Sequence, residues 1–352
     1  IVVSPLISLM IDQVKALNEA GVHAAYINSA LTETQVTKAL YNAMMGRYKI
    51  VYVAPERLET NRFLEFAMNS DISMITIDEA HCISQWGQDF RPSYLKIVNL
   101  IKRFPKRPVV SAFTATATMQ VKEDIMCILG LNNPKVMVTG FDRKNLYFEV
   151  RKSKHKDADI LDYVQSHSND SGIIYCATRK NVDNVYIMLL NSGISATRYH
   201  AGLSNEVRKK NQEDFIYDRK PVIVATNAFG MGIDKSNVRY VLHYNMPQCI
   251  ENYYQEAGRA GRDGESAECI LFYSPQDVMI SEFLIENKGE NTEFTEDELM
   301  LIKENDIKRL AKMRFYCTTK DCLREYMLNY FGESTVWTTC DNCSSCKGSA
   351  DK

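Results

Sequence analysis

The sequence predicts an α/β protein made of two parallel sheets in series, followed by a helical tail that carries clustered cysteines. Three observations support this. Short β-branched runs alternate with stretches of about a dozen residues in which apolar side chains recur at helical spacing, the rhythm of parallel strands joined by crossovers. That rhythm restarts near Gly140 and gives way to helical periodicity from Pro275 onward. Residues 74–77 are apolar and β-branched and run straight into Asp78 and Glu79, the pattern of a buried central strand that delivers two acids to a sheet edge, where open α/β sheets bind ligands.

In chain order, residues 1–6 read as a strand entering a turn and 6–17 as a helix that Gly21 stops. Thr32 and Gln35 make a capping-box pattern ahead of Val36, Leu40 and Met44, with Gly46 ending that helix. Residues 49–53 and 109–112 are further strands, and Thr118 is placed to cap a helix over 121–129 that Gly130 closes. In the second series, strands are expected at 172–176, 222–225 and 238–243, with a helix at 180–190. Residues 141–145 and the basic stretch 151–156 read as linker surface. Thr295 and Glu298 suggest another capping box, and 322–331 continues as helix. No initiator Met and no lead-in precede Ile1, so the chain is expected to begin part-way through a domain.

At 352 residues, with 45% hydrophobic and 24% charged side chains, the chain has the composition of an ordinary globular protein with room for two or three domains. A formal net charge of -2 means that any nucleic acid is held by local patches rather than by a basic coat. No stretch approaches the ~18 apolar residues of a membrane span and no basic-then-apolar leader is present, so an intracellular protein without a membrane partner is expected. Six of the ten cysteines are scattered, and only the last four have ligand-like spacing, which implies reduced thiols plus one metal site.

The chemistry concentrates in a few places. Asp78 is expected to face a magnesium ion that neutralises phosphate charge, and Glu79 to orient and deprotonate an attacking water. His81 reads either as a packed histidine or as a coupling residue toward Gln255 or the 114–118 stretch. Arg259 and Arg262, three apart, are expected on one face of a helix, where guanidinium groups could meet phosphate. Gly232 permits close backbone approach beside Asp234, a second part of a nucleotide site. The loop 84–94 holds Trp86, Phe90, Arg91 and Tyr94, able to stack on unpaired bases or equally to tuck into the core. Thr178, Arg179, His200 and Thr226 are further expected nucleic-acid contacts. Cys340, Cys343 and Cys346 at three-residue intervals, with Cys322, supply four soft ligands for a structural zinc, and Cys317 is a rival fourth.

Together these stretches resemble the RecQ family of DNA helicases, a branch of superfamily 2. Asp78-Glu79-Ala80-His81 is similar to helicase motif II, Thr114-Ala115-Thr116 to motif III and 255–262 to motif VI, while 84–94 resembles the family's aromatic-rich loop and the four cysteines its zinc subdomain. The resemblance implies a RecA-like domain at 1–139, truncated at its start, a second at 140–275 and a helical zinc-binding subdomain at 276–352. It implies ATP and Mg2+ between the two, Zn2+ in the third, and 3′ to 5′ movement on single-stranded or forked DNA and recombination intermediates. By residue, Asp78 would hold magnesium, Glu79 would activate water, Arg259 and Arg262 would reach the γ-phosphate and Gln255 would sense nucleotide state. The expected compartment is the nucleoid in a bacterium or the nucleus in a eukaryote. No Gly-x-x-x-x-Gly-Lys-Ser/Thr phosphate loop occurs, since residues 1–6 are similar to the segment that follows it, and these residues alone are expected to hydrolyse little ATP. Alternatives are a non-catalytic DNA-binding or scaffolding module, or an RNA helicase with the same engine.

Overall fold

The structure, a computed structural model, describes residues 1–230, 235–289 and 294–350. Its described residues divide into two compact units, residues 1–137 with 294–295, and the other described residues from Val138 on.

In the first unit, strands β1 (Val2–Val3), β2 (Ala24–Ile27), β3 (Ile50–Val53), β4 (Met74–Ile77) and β5 (Val109–Ala112) pair in parallel in the order β2-β3-β1-β4-β5. Helices α1 (Ile7–Glu19), α2 (Glu33–Met44), α3 (Asn61–Met68), α4 (Leu95–Arg103) and α5 (Met119–Ile128) make the connections. The two-residue β1 lies at the centre of the sheet, and the order of connection reverses between it and β4, the position at which open sheets form a ligand crevice. Ile75 and Ile77 point into a fully buried core with Val3, Val53 and Tyr94, each worth about 1.5–3 kcal/mol of burial. On the other face of β4 and β5, Thr76 Oγ1 and Ser111 Oγ lie 2.9 Å apart.

Local signals hold where they are strongest. Thr32 and Gln35 form the expected reciprocal capping box on α2, and Thr118 accepts from the Val121 N–H at the start of α5. Gly21, Gly46 and Gly130 all end their helices at positive φ.

The second unit contains β6 (Leu146–Lys152), α6 (Lys156–Ser166), β7 (Ser171–Tyr175), α7 (Arg179–Asn191), β8 (Ala196–Tyr199), α8 (Asn205–Ile216), β9 (Val222–Ala225), β10 (Val238–His243), α9 (Ile250–Ala257) and β11 (Ala267–Tyr273). The sheet is parallel, in the order β6-β11-β10-β7-β9-β8. Here the linker expectation for 151–156 is overturned in part: Lys156 opens α6, and Arg151 and Lys152 end an edge strand, residues 146–152, in register with β11 from Leu146 opposite Ala267 to Lys152 opposite Tyr273. Its alternation buries Leu146 and Phe148 and sends Glu149 and Arg151 to a mutual ion pair, so its charges belong to a strand face.

Helices α10 (Pro275–Glu286), α11 (Glu296–Thr318), α12 (Leu323–Tyr330) and α13 (Ser344–Ala350) complete the unit. Met313, Tyr316, Cys317, Leu323, Met327 and Phe331 share one apolar core with β6 and β11, so the tail is built onto the second sheet. A backbone bridge from Cys343 to Phe148 covers part of the β6 edge.

One buried polar network ties α10 to the sheet. Asp277 is almost fully buried and accepts from Lys156 Nζ at 2.8 Å, Asn245 Nδ2 at 2.8 Å and the Ser274 N–H at 2.9 Å. Asn245 in turn accepts from the Ala177 N–H at 3.1 Å and Asn181 Nδ2 at 3.0 Å, which fixes the chain leaving β7. Removing one partner of a buried ion pair leaves the other charge uncompensated. Asp277→Ala is therefore expected to cost about 3–5 kcal/mol in denaturant unfolding of this unit; a loss below about 1 kcal/mol would show that solvent already screens the pair.

Candidate functional site

The first unit's site begins where β4 stops. Glu79 has φ 46° and ψ 47°, a left-handed turn that a non-glycine residue adopts only when its surroundings enforce it. Three contacts do so. The Glu79 N–H donates to Asp78 Oδ1 at 2.9 Å, Ser4 Oγ donates to Asp78 Oδ2 at 3.0 Å, and the buried Tyr94 hydroxyl donates to the Asp78 carbonyl at 2.9 Å. Ser4 follows the central strand β1 in the crevice, so both Asp78 oxygens are oriented from the floor of the sheet.

His81 is buried, with Nδ1 2.9 Å from Thr114 Oγ1 and 3.3 Å from Glu79 Oε2. Burial pushes the imidazole down to about 4, with Asp89 opposing and Arg91 adding to the shift. His81 is therefore neutral, and its 3.3 Å approach to Glu79 Oε2 is not an ion pair. Within its own unit His81 touches the 114–118 stretch, one of the two partners the sequence allowed.

The loop after this turn is pinned to the same stretch. Gln88 Nε2 donates to Thr116 Oγ1 at 2.8 Å, and Ser84 Oγ to Asp124 on α5 at 2.6 Å. A Cβ at Gly87 would stand 2.4 Å from the His81 carbonyl oxygen, so glycine allows the loop to close against the strand end. Trp86 is 42% exposed, Phe90 is buried, and Arg91 is held by two donations to Asp89 Oδ2 at 2.9 and 2.7 Å. Tyr94, expected to face bases, is instead fully buried, where its hydroxyl supports the Asp78 carbonyl. Ser4 and Gln88 were not foreseen, because each acts through a contact distant in sequence.

In the second unit, Thr178, His200 and Thr226 follow the carboxyl ends of the adjacent strands β7, β8 and β9, and Arg179 opens α7. Thr178 caps that helix by accepting from the Asn181 N–H at 3.1 Å. His200 is buried and both its nitrogens are engaged. The Gly202 N–H donates to Nδ1 at 3.2 Å, which leaves Nε2 to carry the proton toward Asp183 Oδ1 at 3.1 Å. It braces the strand-end turn.

Gln255 is half-buried on α9, but the helix ends at Ala257. Arg259 and Arg262 therefore lie on a run of turns around Gly258 and Gly261, not on one helical face. Arg259 is buried and donates to the Gly230 carbonyl, whereas Arg262 is exposed. Gly232 and Asp234 lie outside the described residues.

At the tail, the Sγ atoms of Cys322, Cys340, Cys343 and Cys346 lie within 4.8 Å of one another. The separations Cys340–Cys346 and Cys322–Cys343 are both 4.0 Å, close to the ~3.8 Å edge of a tetrahedron with Zn–S bonds of ~2.3 Å. The donor set fits a structural zinc. Burial pushes the Cys322 and Cys340 thiols up; at Cys343, burial is outweighed by the backbone donors of Cys346 and Leu323, which hold that thiol below its usual range. Cys317, the rival ligand, is buried in the apolar core of α11.

His81 also yields a pH dependence. An unfolded histidine takes up its proton as pH falls through about 6.5, whereas the folded one resists until about 4. Acid thus favours the unfolded state across that window, and up to about 3 kcal/mol is lost between pH 6.5 and 4, with no further loss below. His81→Gln, which cannot titrate, is expected to flatten this limb in denaturant unfolding series from pH 7 to 4; parallel curves for the two proteins would contradict the assignment.

Comparison with known proteins agrees with this geometry. Three family models match in succession: the DEAD/DEAH box helicase model over residues 1–125, the helicase conserved C-terminal domain over 155–264 and the RecQ zinc-binding domain over 275–347. The chain is 48% identical over 346 residues to the ATP-dependent DNA helicase RecQ of Bacillus subtilis, covering 98% of this chain and 57% of that protein. It is 40% identical to the RecQ helicase of Haemophilus influenzae, covering 98% of this chain and 54% of that one. The chain thus spans little more than half the length of these relatives. A solved DEAD-box helicase bound to single-stranded RNA shares the fold with a TM-score of 0.63 at 19% identity, over 93% of this chain and 72% of that one. With two RecA-like sheets followed by a four-cysteine zinc-binding region, the chain belongs to the RecQ family of helicases.

Proposed function

We propose that this chain is the motor core of an ATP-driven helicase that moves 3′ to 5′ along single-stranded DNA and opens forked DNA and recombination intermediates during repair. It acts inside the cell, on the nucleoid or in the nucleus. The observation that carries the reading is the end of β4. Two carboxylates stand in a sheet crevice, and His81 beside them, 3.3 Å from Glu79, is joined by hydrogen bonds through Thr114 and Thr116 to a loop that exposes Trp86.

In this reading Asp78 holds Mg2+, which when bound offsets the charge of the β- and γ-phosphates. Glu79 orients the attacking water and accepts its proton, with neutral His81 3.3 Å from the carboxylate. Arg259 and Arg262 offset the phosphate charge; Arg259 also donates to the Gly230 carbonyl. Gln255 senses the nucleotide from α9. DNA lies along Trp86 and Arg91 in one unit and along Thr178, Arg179 and Thr226 at the strand ends of the other, where helix α7 presents its N-terminus. The 352 residues contain no phosphate-loop motif, so they are expected to turn over little ATP by themselves, and turnover is a property to be measured in the whole protein.

In the full-length protein, Glu79→Gln is expected to lower DNA-stimulated ATP turnover by about 100-fold or more while ATP binding persists. Wild-type protein should open a duplex bearing a 3′ single-stranded tail in preference to a 5′ tail, and DNA in preference to RNA. Undiminished turnover in the variant, or unwinding from 5′ tails, would refute the reading.

A further inference from the structure

Residues 141–145, which look like linker surface in the sequence, are occupied with the turn that carries Arg259 and Arg262. Arg143 Nη1 donates to the Gly258 carbonyl at 3.1 Å, and its Nη2 donates to those of Ala260 at 2.9 Å and Gly261 at 3.0 Å. Asn145 Nδ2 adds donations at 2.8 Å to the Gly261 and Glu265 carbonyls. Gly261 has φ +55°, and a Cβ there would stand 2.4 Å from Asn145 Nδ2, so the turn is shaped to accept these donors. Past the end of α9 its inward carbonyls rely on side chains more than a hundred residues away.

The same segment is gripped from the four-cysteine region. Arg324 on α12 is buried and donates to the Asp142 carboxylate at 2.7 Å, to the Arg143 carbonyl at 2.7 Å and to the Leu146 carbonyl. Cys322, one of the four thiols, is the N-cap of that helix. Phe141 stacks on Phe331 at 4.4 Å, donates its N–H to Glu333 at 2.6 Å and accepts from the hydroxyl of Tyr254, the neighbour of Gln255, at 3.0 Å.

We infer that Arg143 is a positioning residue for the Arg259–Arg262 turn, and that Arg324 on α12 extends this support to the four-cysteine region. The inference rests on the reading that the turn serves ATP hydrolysis. A guanidinium is a planar fork that can satisfy several carbonyls at fixed angles, whereas an ammonium is a point donor on a flexible stem. Carbonyls that lose their donor turn toward water and carry the backbone of Arg259 and Arg262 with them.

The test uses the full-length protein and compares wild type, Arg143→Lys, Arg143→Ala and Glu79→Gln. Arg143→Lys keeps the charge and serves if the alanine variant fails to fold. With zinc content unchanged, it is expected to lower kcat for DNA-stimulated ATP hydrolysis roughly tenfold while KM for ATP stays within about twofold, the signature of a misplaced group. Hydrogen exchange at the Gly258, Ala260 and Gly261 amides should rise by about tenfold. Unchanged kcat, with or without faster exchange, overturns the inference, as does unchanged exchange. If wild type hydrolyses no ATP, or Glu79→Gln is as active as wild type, it is the reading of the site that fails, and the exchange result still decides whether Arg143 holds the turn.

Discussion

The first unit depends on how one strand ends. A parallel strand with Ile75 and Ile77 packed inward would otherwise continue its pleat, and its acids would alternate to opposite faces. Instead Glu79 turns left-handed, and the cost of that backbone, of order 1–3 kcal/mol, is met by bonds to both Asp78 oxygens and to its carbonyl. Ser4 and Tyr94 come from opposite sides of the sequence, so the geometry of two acids depends on the central strand and on the loop that leads into α4. A strained, over-determined residue at a sheet switch point is the arrangement in which pre-organisation for chemistry is expected.

The second unit answers a different problem, that of burying polar groups around a turn without regular structure. Arg324 and Asp277 are almost fully buried, yet each has its donors or acceptors matched by neighbours from at least two elements. Such satisfied networks are costly to disturb and specify a single arrangement. They also explain why the cysteine tail packs on the β6 edge: Asn342 donates to the Lys144 and Leu146 carbonyls at 3.1 Å, and Cys343 bridges to Phe148.

Much of this fold was legible because the signals were local. The bounds of β9 and β10, the Thr32 capping box and the Cys340, Cys343 and Cys346 group each depend on residues a few positions apart. The failures share a physical cause. At β6 a period of two was masked by charges that pair with each other along the strand, Glu149 with Arg151. The spacing of Arg259 and Arg262 suggested a helix, but Gly258 and Gly261 follow its end, and one arginine is buried while the other is exposed. Tyr94 was assigned an outward role because composition says nothing about where a side chain points; it is turned inward by a partner, Asp78, that lies distant in sequence. The Ser274 capping box uses Asp277 where Glu or Gln is usual, and the same carboxylate is drawn into a tertiary network that no local pattern reveals.

Under the proposed function, Asp78 is held ready for a cation that arrives with the nucleotide. Mn2+ is a paramagnetic substitute for Mg2+, and its electron paramagnetic resonance in the full-length protein reports binding directly. Bound Mn2+ is expected only when a non-hydrolysable ATP analogue is present, and is expected to be lost in Asp78→Asn with the analogue still bound. Nucleotide-dependent Mn2+ binding that survives Asp78→Asn would contradict it.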